Sequence, residues 1–227
     1  MLERAKVNGD VKAGYVLEIG VGGFDDSLLN GIGYGPLFGG ETNGVYTRRS
    51  YLYVQSATLG QVSLGKASQA TDDITSITTA NTDAAVRMLS VRPFVGPELG
   101  EVLDIFDGTR ADIVRYDSPA FSGFKVSASW GNADLTGNGD VWDVALRYAG
   151  EFQQIRIGAG VGYRQGVVVP LFGATQDVRV ISGSASVMHM PTGIFVTGAA
   201  GDLQGEGPLA FLPNIKGWQV QGGVEQK

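Results

Sequence analysis

Val7-Asn8-Gly9-Asp10-Val11-Lys12-Ala13-Gly14-Tyr15-Val16-Leu17-Glu18-Ile19-Gly20-Val21 repeats in steps of two. Its odd positions read Val7, Gly9, Val11, Ala13, Tyr15, Leu17, Ile19, Val21, and its even positions read Asn8, Asp10, Lys12, Gly14, Val16, Glu18 and Gly20. A β-strand sends successive side chains to opposite faces, so this rhythm sorts into one apolar face and one polar face only if the segment is a strand. The run is also long against the usual strand length of about 5–6 residues. A long strand with one greasy face, repeated along the chain, points to a membrane-spanning barrel wall.

Composition narrows the alternatives. No apolar run approaches the roughly 18 residues of a transmembrane helix, so among membrane structures only a closed barrel remains. The 227 residues include 35 glycines and no cysteine. Glycine at that density suits tight turns and close-packed walls, not helices. Without cysteine there is no disulfide framework and no thiolate metal site. A net charge of -6 excludes an electrostatic footprint for nucleic acid. No signal peptide is legible before the first strand, and alternation continues into Val224-Glu225-Gln226-Lys227, so the sequence is expected to be a fragment of an exported protein.

The rhythm predicts about ten strands: 7–21, 45–56, 60–67, 110–117, 124–132, 140–149, 153–165, 177–190, 193–201 and 216–227. The connections alternate in length. They are short at 57–59, 118–123, 150–152 and 191–192. They are long at 22–44, 68–108, 166–176 and 202–215, and intermediate at 133–139. An up-and-down barrel with tight turns on one rim and larger loops on the other has this alternation. Faces separate cleanly: Phe124, Val126, Ala128 and Trp130 oppose Lys125, Ser127 and Ser129, and Ile155, Ile157, Ala159, Val161 and Tyr163 oppose Arg156, Gly158, Gly160, Gly162 and Arg164. Trp130, Trp142, Tyr148, Tyr163 and Trp218 end apolar faces, where an aromatic girdle meets lipid headgroups.

Asp107-Gly108-Thr109-Arg110-Ala111-Asp112-Ile113-Val114-Arg115-Tyr116-Asp117-Ser118-Pro119-Ala120-Phe121-Ser122-Gly123-Phe124 resembles the general diffusion porins of Gram-negative outer membranes, with an alphaproteobacterial flavour. In that family a strand ending in tyrosine-x-serine-proline turns into a glycine-phenylalanine strand start. Thr47 to Tyr51 and Leu59 to Lys66 resemble the hairpin before the family's constriction loop. The resemblance implies an antiparallel transmembrane β-barrel of sixteen strands, commonly a homotrimer, with a long third loop folded into the lumen. Residues 1–227 would then be one partial barrel, lacking roughly the first two strands, the last four and the terminal aromatic. Residues 68–108 take the constriction loop's place, and Pro97-Glu98-Leu99-Gly100 is similar to a family element that has phenylalanine where Leu99 stands.

On this reading the inward faces collect cations: Arg49, Arg115, Lys125, Arg147, Arg156, Arg164 and Arg179 line the pore, with Lys12 in addition. A charge on the lipid face near mid-membrane costs about 2–4 kcal/mol, which makes the lumen the default. Arg48 and Arg49 are adjacent, so only one is expected to face inward squarely. The long segment has the opposite sign, with Asp72, Asp73, Glu98, Glu101, Asp104 and Asp107 as constriction-loop acids and Asp83 besides, against Arg87 and Arg92. Glu98, Glu101 and Asp104 are expected to face Arg115 and Arg147 across the narrowest point, where side-chain charge sets ion preference. Plain solvation of the interior by the arginines and an acidic external loop are the alternatives. Asp72-Asp73 could hold calcium through oxygen ligands, although the regular spacing is absent.

The function expected is passive diffusion of small hydrophilic solutes and ions through a water-filled channel in the outer membrane, among its lipids, with no cofactor, metal or nucleic-acid partner. A non-transporting surface adhesin is the rival, without the short repeat a solenoid needs. An outer-membrane lipase comes third. His189 is the only histidine, is followed by Met190-Pro191, and has only generic hydroxyls such as Ser184 and Ser186 nearby in sequence. Gly158-Ala159-Gly160-Val161-Gly162 lies within a strand with no helix after it, so it is no phosphate loop.

Overall fold

Eleven antiparallel strands follow one another in strict chain order across a single sheet in the computed structural model. The structure describes residues 2–8, 10–22, 44–80, 103, 105–132, 140–168, 176–206 and 214–225. The strands are β1 (Leu2–Asn8), β2 (Val11–Gly22), β3 (Gly44–Ser56), β4 (Gly60–Ser68), β5 (Arg110–Asp117) and β6 (Phe124–Asn132). They continue as β7 (Asp140–Phe152), β8 (Ile155–Val168), β9 (Gln176–His189), β10 (Ile194–Glu206) and β11 (Ile215–Val224). Each pairs with its sequence neighbours, and among the described residues β1 and β11 have one partner each, so the sheet is open. No described helix is long and apolar enough to cross a membrane.

One expected strand divides in two. The alternation from Val7 to Val21 is interrupted at a turn at Asp10, and residues 2–8 fold back on β2 with Ala5 opposite Ala13. The reason lies in the side chain of Asp10. Its carboxylate accepts hydrogen bonds from Ser56 Oγ (2.8 Å), Thr58 Oγ1 (3.2 Å) and the Ala57 backbone N (3.3 Å), tying this turn to the β3–β4 turn. Those bonds, the one from Ser56 foremost, hold the Asp10 carboxyl below the usual carboxylate range. A lowered pKa stabilises the fold fully above the ordinary carboxylate value, and that stabilisation is lost as pH falls through the lowered one. Asp10→Asn is therefore expected to flatten the acid side of the melting-temperature profile of the detergent-folded protein. An unchanged acid limb would remove Asp10 from this role.

The two faces separate as the alternation requires. Leu17, Leu52, Val54, Val62, Leu64, Val114, Val126, Val144, Leu146, Val161 and Val220 are exposed on the outer face. Aromatic rings bound this band. Trp130 lies opposite Trp142, which packs on Tyr163 at 5.2 Å, toward the long connections. Phe124 packs on Tyr148 at 4.7 Å toward the short turns. The six steps from Trp142 to Tyr148 correspond to roughly 20 Å along the strand. Beyond the tryptophans the outer face turns polar, with Lys66 opposite Asp112, Asp112 opposite Asn132 and Asn132 opposite Asp140, and level with Trp142 the polar row goes on through Gln165, Arg179 and Gln204. Between this collar and the short turns, the described outward side chains include no Asp, Glu, Lys or Arg except the Asp202–Lys216 ion pair (3.3 Å), one rung from Gln204. That is the charge distribution a lipid-facing wall needs.

Candidate functional site: the inner face and its docked segment

The inner face is built from small polar residues in the middle of the sheet: Ser127 and Ser129 on β6, Asp143 and Ala145 on β7, Gly158, Gly160 and Gly162 on β8, and Ser182, Ser184 and Ser186 on β9. Residues 69–80, which follow β4, lie along this track, and 105–108 return to β5 over β8 to β11. The glycines matter because a Cβ at Gly162 would sit 2.6 Å from Thr71 Cγ2, and one at Gly160 would collide with Ile77. The missing side chains are therefore what allow the outgoing arm to lie against the wall.

The returning arm has an apolar seat. Leu103 and Phe106 pack with Val178 and Val180 of β9 and Ala199 and Leu203 of β10, and Ile105 and Ile215 flank them. The Phe106 ring is fully buried over Gly201 and Gly217. This patch lies on the face that also carries the arginines, so the upper inner wall of β9–β11 is greasy where the arm covers it.

Three wall arginines hold the segment by its backbone. Arg115 donates from Nη1 to the carbonyls of Ser68 (2.8 Å) and Gln69 (2.9 Å), and from Nε and Nη2 to Asp117 (2.9 Å each). Arg147 donates to the carbonyl of Asp72 (2.6 Å) and Arg164 to that of Ile105 (3.1 Å). Guanidinium-to-carbonyl bonds are charge-assisted and contribute about 1.5–3 kcal/mol each when water is excluded. Arg115 and Arg147 thus engage main-chain oxygens of the segment. Glu98, Glu101 and Asp104, which the sequence reading set opposite them, lie outside the described residues.

A cavity of about 370 Å³ opens beside the outgoing arm, lined among others by Arg49, Tyr51, Asp72, Asp73, Lys125 and Arg147. Lys125 pairs with Asp117 at 3.3 Å. Arg49 donates to Ser68 Oγ at 3.0 Å, and the Ser68 hydroxyl bonds the Asp72 carboxyl. Burial pushes the Asp72 carboxyl up, against the pull of that hydrogen bond.

Arg48 and Arg49 both reach one carboxylate, with Nε to Glu18 distances of 2.8 and 3.5 Å. Two adjacent strand residues should point apart, as the sequence reading assumed. A bulge resolves this: Glu18 faces Arg49 and Ile19 faces Thr47, so Arg48 is the extra residue and is turned toward the same partner.

Arg49, Arg115, Lys125, Arg147, Asp72 and Asp73 therefore come together around one cavity. Arg164 and Asp107 are covered by the segment, with Asp107 bonding Thr75. Arg156 sits at the short-turn end of β8, paired with Glu151 at 2.8 Å. Arg179 differs from expectation. It shares its face with the exposed Ile181 and Val187 and donates to Gln204 at 2.8 Å, outside the sheet. Its neighbours Val178 and Val180 take the inward positions because Phe106 needs apolar partners, and Arg179 sits in the outer collar, where a charge reaches water. His189, the sole histidine, bonds Thr192 Oγ1 at 2.9 Å in the β9–β10 turn. Among the described residues no three His, Asp or Glu side chains come together as a metal site. Sequence reasoning missed Glu18, Asp117 and Asp143. Each is a carboxylate on a polar strand face, a signal that was present beside the arginines and was overlooked.

The comparisons with known proteins agree with this architecture. No curated protein matches the chain significantly. Among solved structures, the anion-selective porin from Comamonas acidovorans is similar at TM-score 0.59 and 20% identity, over 94% of this chain and 58% of that one, so the chain spans less than two thirds of that porin. Salmonella typhi OmpF in complex with daunomycin is matched at TM-score 0.45 and 11% identity, over 100% of this chain and 77% of that one. The family model of the Gram-negative porins matches residues 4–225, nearly the whole sequence. With its open antiparallel sheet, lipid-type outer band and inward-docked segment, the chain belongs to the Gram-negative porin family.

Proposed function

We propose that this chain forms part of the wall of an outer-membrane channel through which small hydrophilic solutes and ions diffuse passively, and that residues 68–108 narrow it. The observation that carries the reading is the docking of 69–80 and 105–108 onto the polar face, with charged groups of both signs left around an open cavity. Solute passing there meets Arg49 and Lys125 from the wall and Asp72 and Asp73 from the segment. Charges in such a partly dehydrated passage act more strongly than on a free surface. The channel performs no chemistry on its solutes and needs no cofactor. Homotrimeric assembly of the complete protein, surrounded by outer-membrane lipid, is part of the same proposal and follows the family.

The test is reversal potential across a planar bilayer under a salt gradient, using the complete protein. Arg49→Ala and Lys125→Ala are expected to shift permeability toward cations, and Asp73→Asn toward anions. Arg115 and Arg147 are poorer probes because their loss also frees backbone carbonyls of the segment. Unchanged selectivity in all three variants would place this cavity off the conduction path.

A further inference from the structure

Thr71, Thr75 and Thr79 recur every fourth residue along the outgoing arm, and each makes the same pair of contacts. Thr71 donates its backbone N (2.6 Å) and its Oγ1 (2.7 Å) to Asp143 Oδ2. Thr75 does the same to the two oxygens of Asp107, at 2.8 and 2.7 Å. Thr79 places its backbone N (3.0 Å) and Oγ1 (2.8 Å) on Ser186 Oγ, which also bonds Thr197 at 2.7 Å. The three acceptors differ in origin: one belongs to β7, one to the returning arm and one to β9. The stitch therefore joins the outgoing arm to the wall at both ends and to the returning arm in the middle.

We propose that Asp143 is a positioning residue which, through Thr71, fixes how far the outgoing arm stands off the wall and thereby sets the width of the channel. A carboxylate is expensive to bury, and it stays buried only where donors replace its water. Asp143 is 1% exposed, and its donors come from both sides of the seam. Thr71 supplies two, and the Ser129 hydroxyl bonds its other oxygen while accepting from the Ala70 backbone N. Arg164, which bonds the returning arm, supplies a compensating charge to both Asp143 and Asp107. With the arm displaced, Asp143 would lose two donors at once and take up water. Intermediate heights satisfy neither arrangement, so the arm has one docked position and does not slide along the wall. A wall carboxylate serving only to line a water-filled lumen would be exposed to it, and this one is not.

The inference rests on the channel reading for its consequence but not for its test. Ala145, 1% exposed and packed under Ala70 and Ile74, is a reporter position. Ala145→Cys in the complete protein, folded in detergent, should react slowly with a small charged thiol reagent. Adding Thr71→Val, which removes the hydroxyl bond, or Asp143→Ala should raise the rate by about tenfold or more, because each lost buried bond favours the open arm. Thr71→Ser, which keeps both donors, should restore the slow rate. In bilayers the same Thr71→Val substitution should admit larger neutral polymers than the parent, while Thr71→Ser should not. If Asp143→Ala does not fold, Thr71→Val decides alone. Equal labelling in parent, Thr71→Val and Thr71→Ser would overturn the positioning role. Labelling that rises as stated in a protein that carries no current would instead keep the stitch and discard the channel reading.

Discussion

Phe106→Ala is expected to release the returning arm from the wall while leaving the sheet folded. The ring is fully buried, and its removal leaves a hole among Leu103, Val178, Val180, Ala199 and Leu203. Phenylalanine-to-alanine truncations in packed cores cost about 3–5 kcal/mol. Here that loss falls on the docking of a segment and not on the strand ladder, because Gly201 and Gly217 beneath the ring are held by backbone pairing in β10 and β11. A loss of about 3 kcal/mol raises an open population more than a hundredfold. Limited proteolysis should therefore cut within 103–109 in the variant and spare the parent, with both keeping the gel shift between unheated and boiled samples that marks a folded barrel. Resistance equal to the parent would mean that the arginine-to-carbonyl bonds hold the arm without Phe106.

Leu146→Arg on the outer face is the second large effect. Leu146 is exposed in mid-strand, opposite Val126 and Val161, four residues beyond Trp142 and two short of Tyr148. Arginine at such a depth costs about 2–4 kcal/mol, since no partner and no water are within easy reach. The expected readout is a lower free energy of folding into vesicles, measured by denaturant titration of the complete protein. The matched control is Ala200→Arg in β10, which lies opposite Trp218 near the girdle and should cost about 0–1 kcal/mol. Equal penalties at the two depths would contradict the lipid assignment of the band.

How much of this was legible in sequence depends on the element. Strands β5 and β6 have the bounds the alternation implies, because period-two patterning with one lipid face and one polar face leaves no second register to choose. The inward arginines at 115, 147 and 164 were legible for the same reason. The division of the first strand was not: an aspartate within an alternating run reads as one more polar-face residue, and its capping of a turn depends on Ser56 and Thr58, far along the chain. Arg179 misled because charge was given more weight than its flanking valines, whose need for Phe106 only tertiary packing reveals. The convergence of Arg48 and Arg49 on Glu18 was hidden by a bulge, which strand period cannot express. Phe106 itself had no local signal, being one phenylalanine in an irregular segment.

That bulge has a consequence for how the wall can change over generations. Losing a residue anywhere in a regular ladder turns every later side chain to the opposite face, so such deletions would push arginines into lipid and leucines into water. Arg48 is the exception within β3, because it occupies no rung. Its deletion would leave Glu18 opposite Arg49 and Ile19 opposite Thr47, with Tyr51 and Tyr53 still facing inward. At this place a lineage could add or drop one positive charge by changing length alone, without passing through a misfolded ancestor.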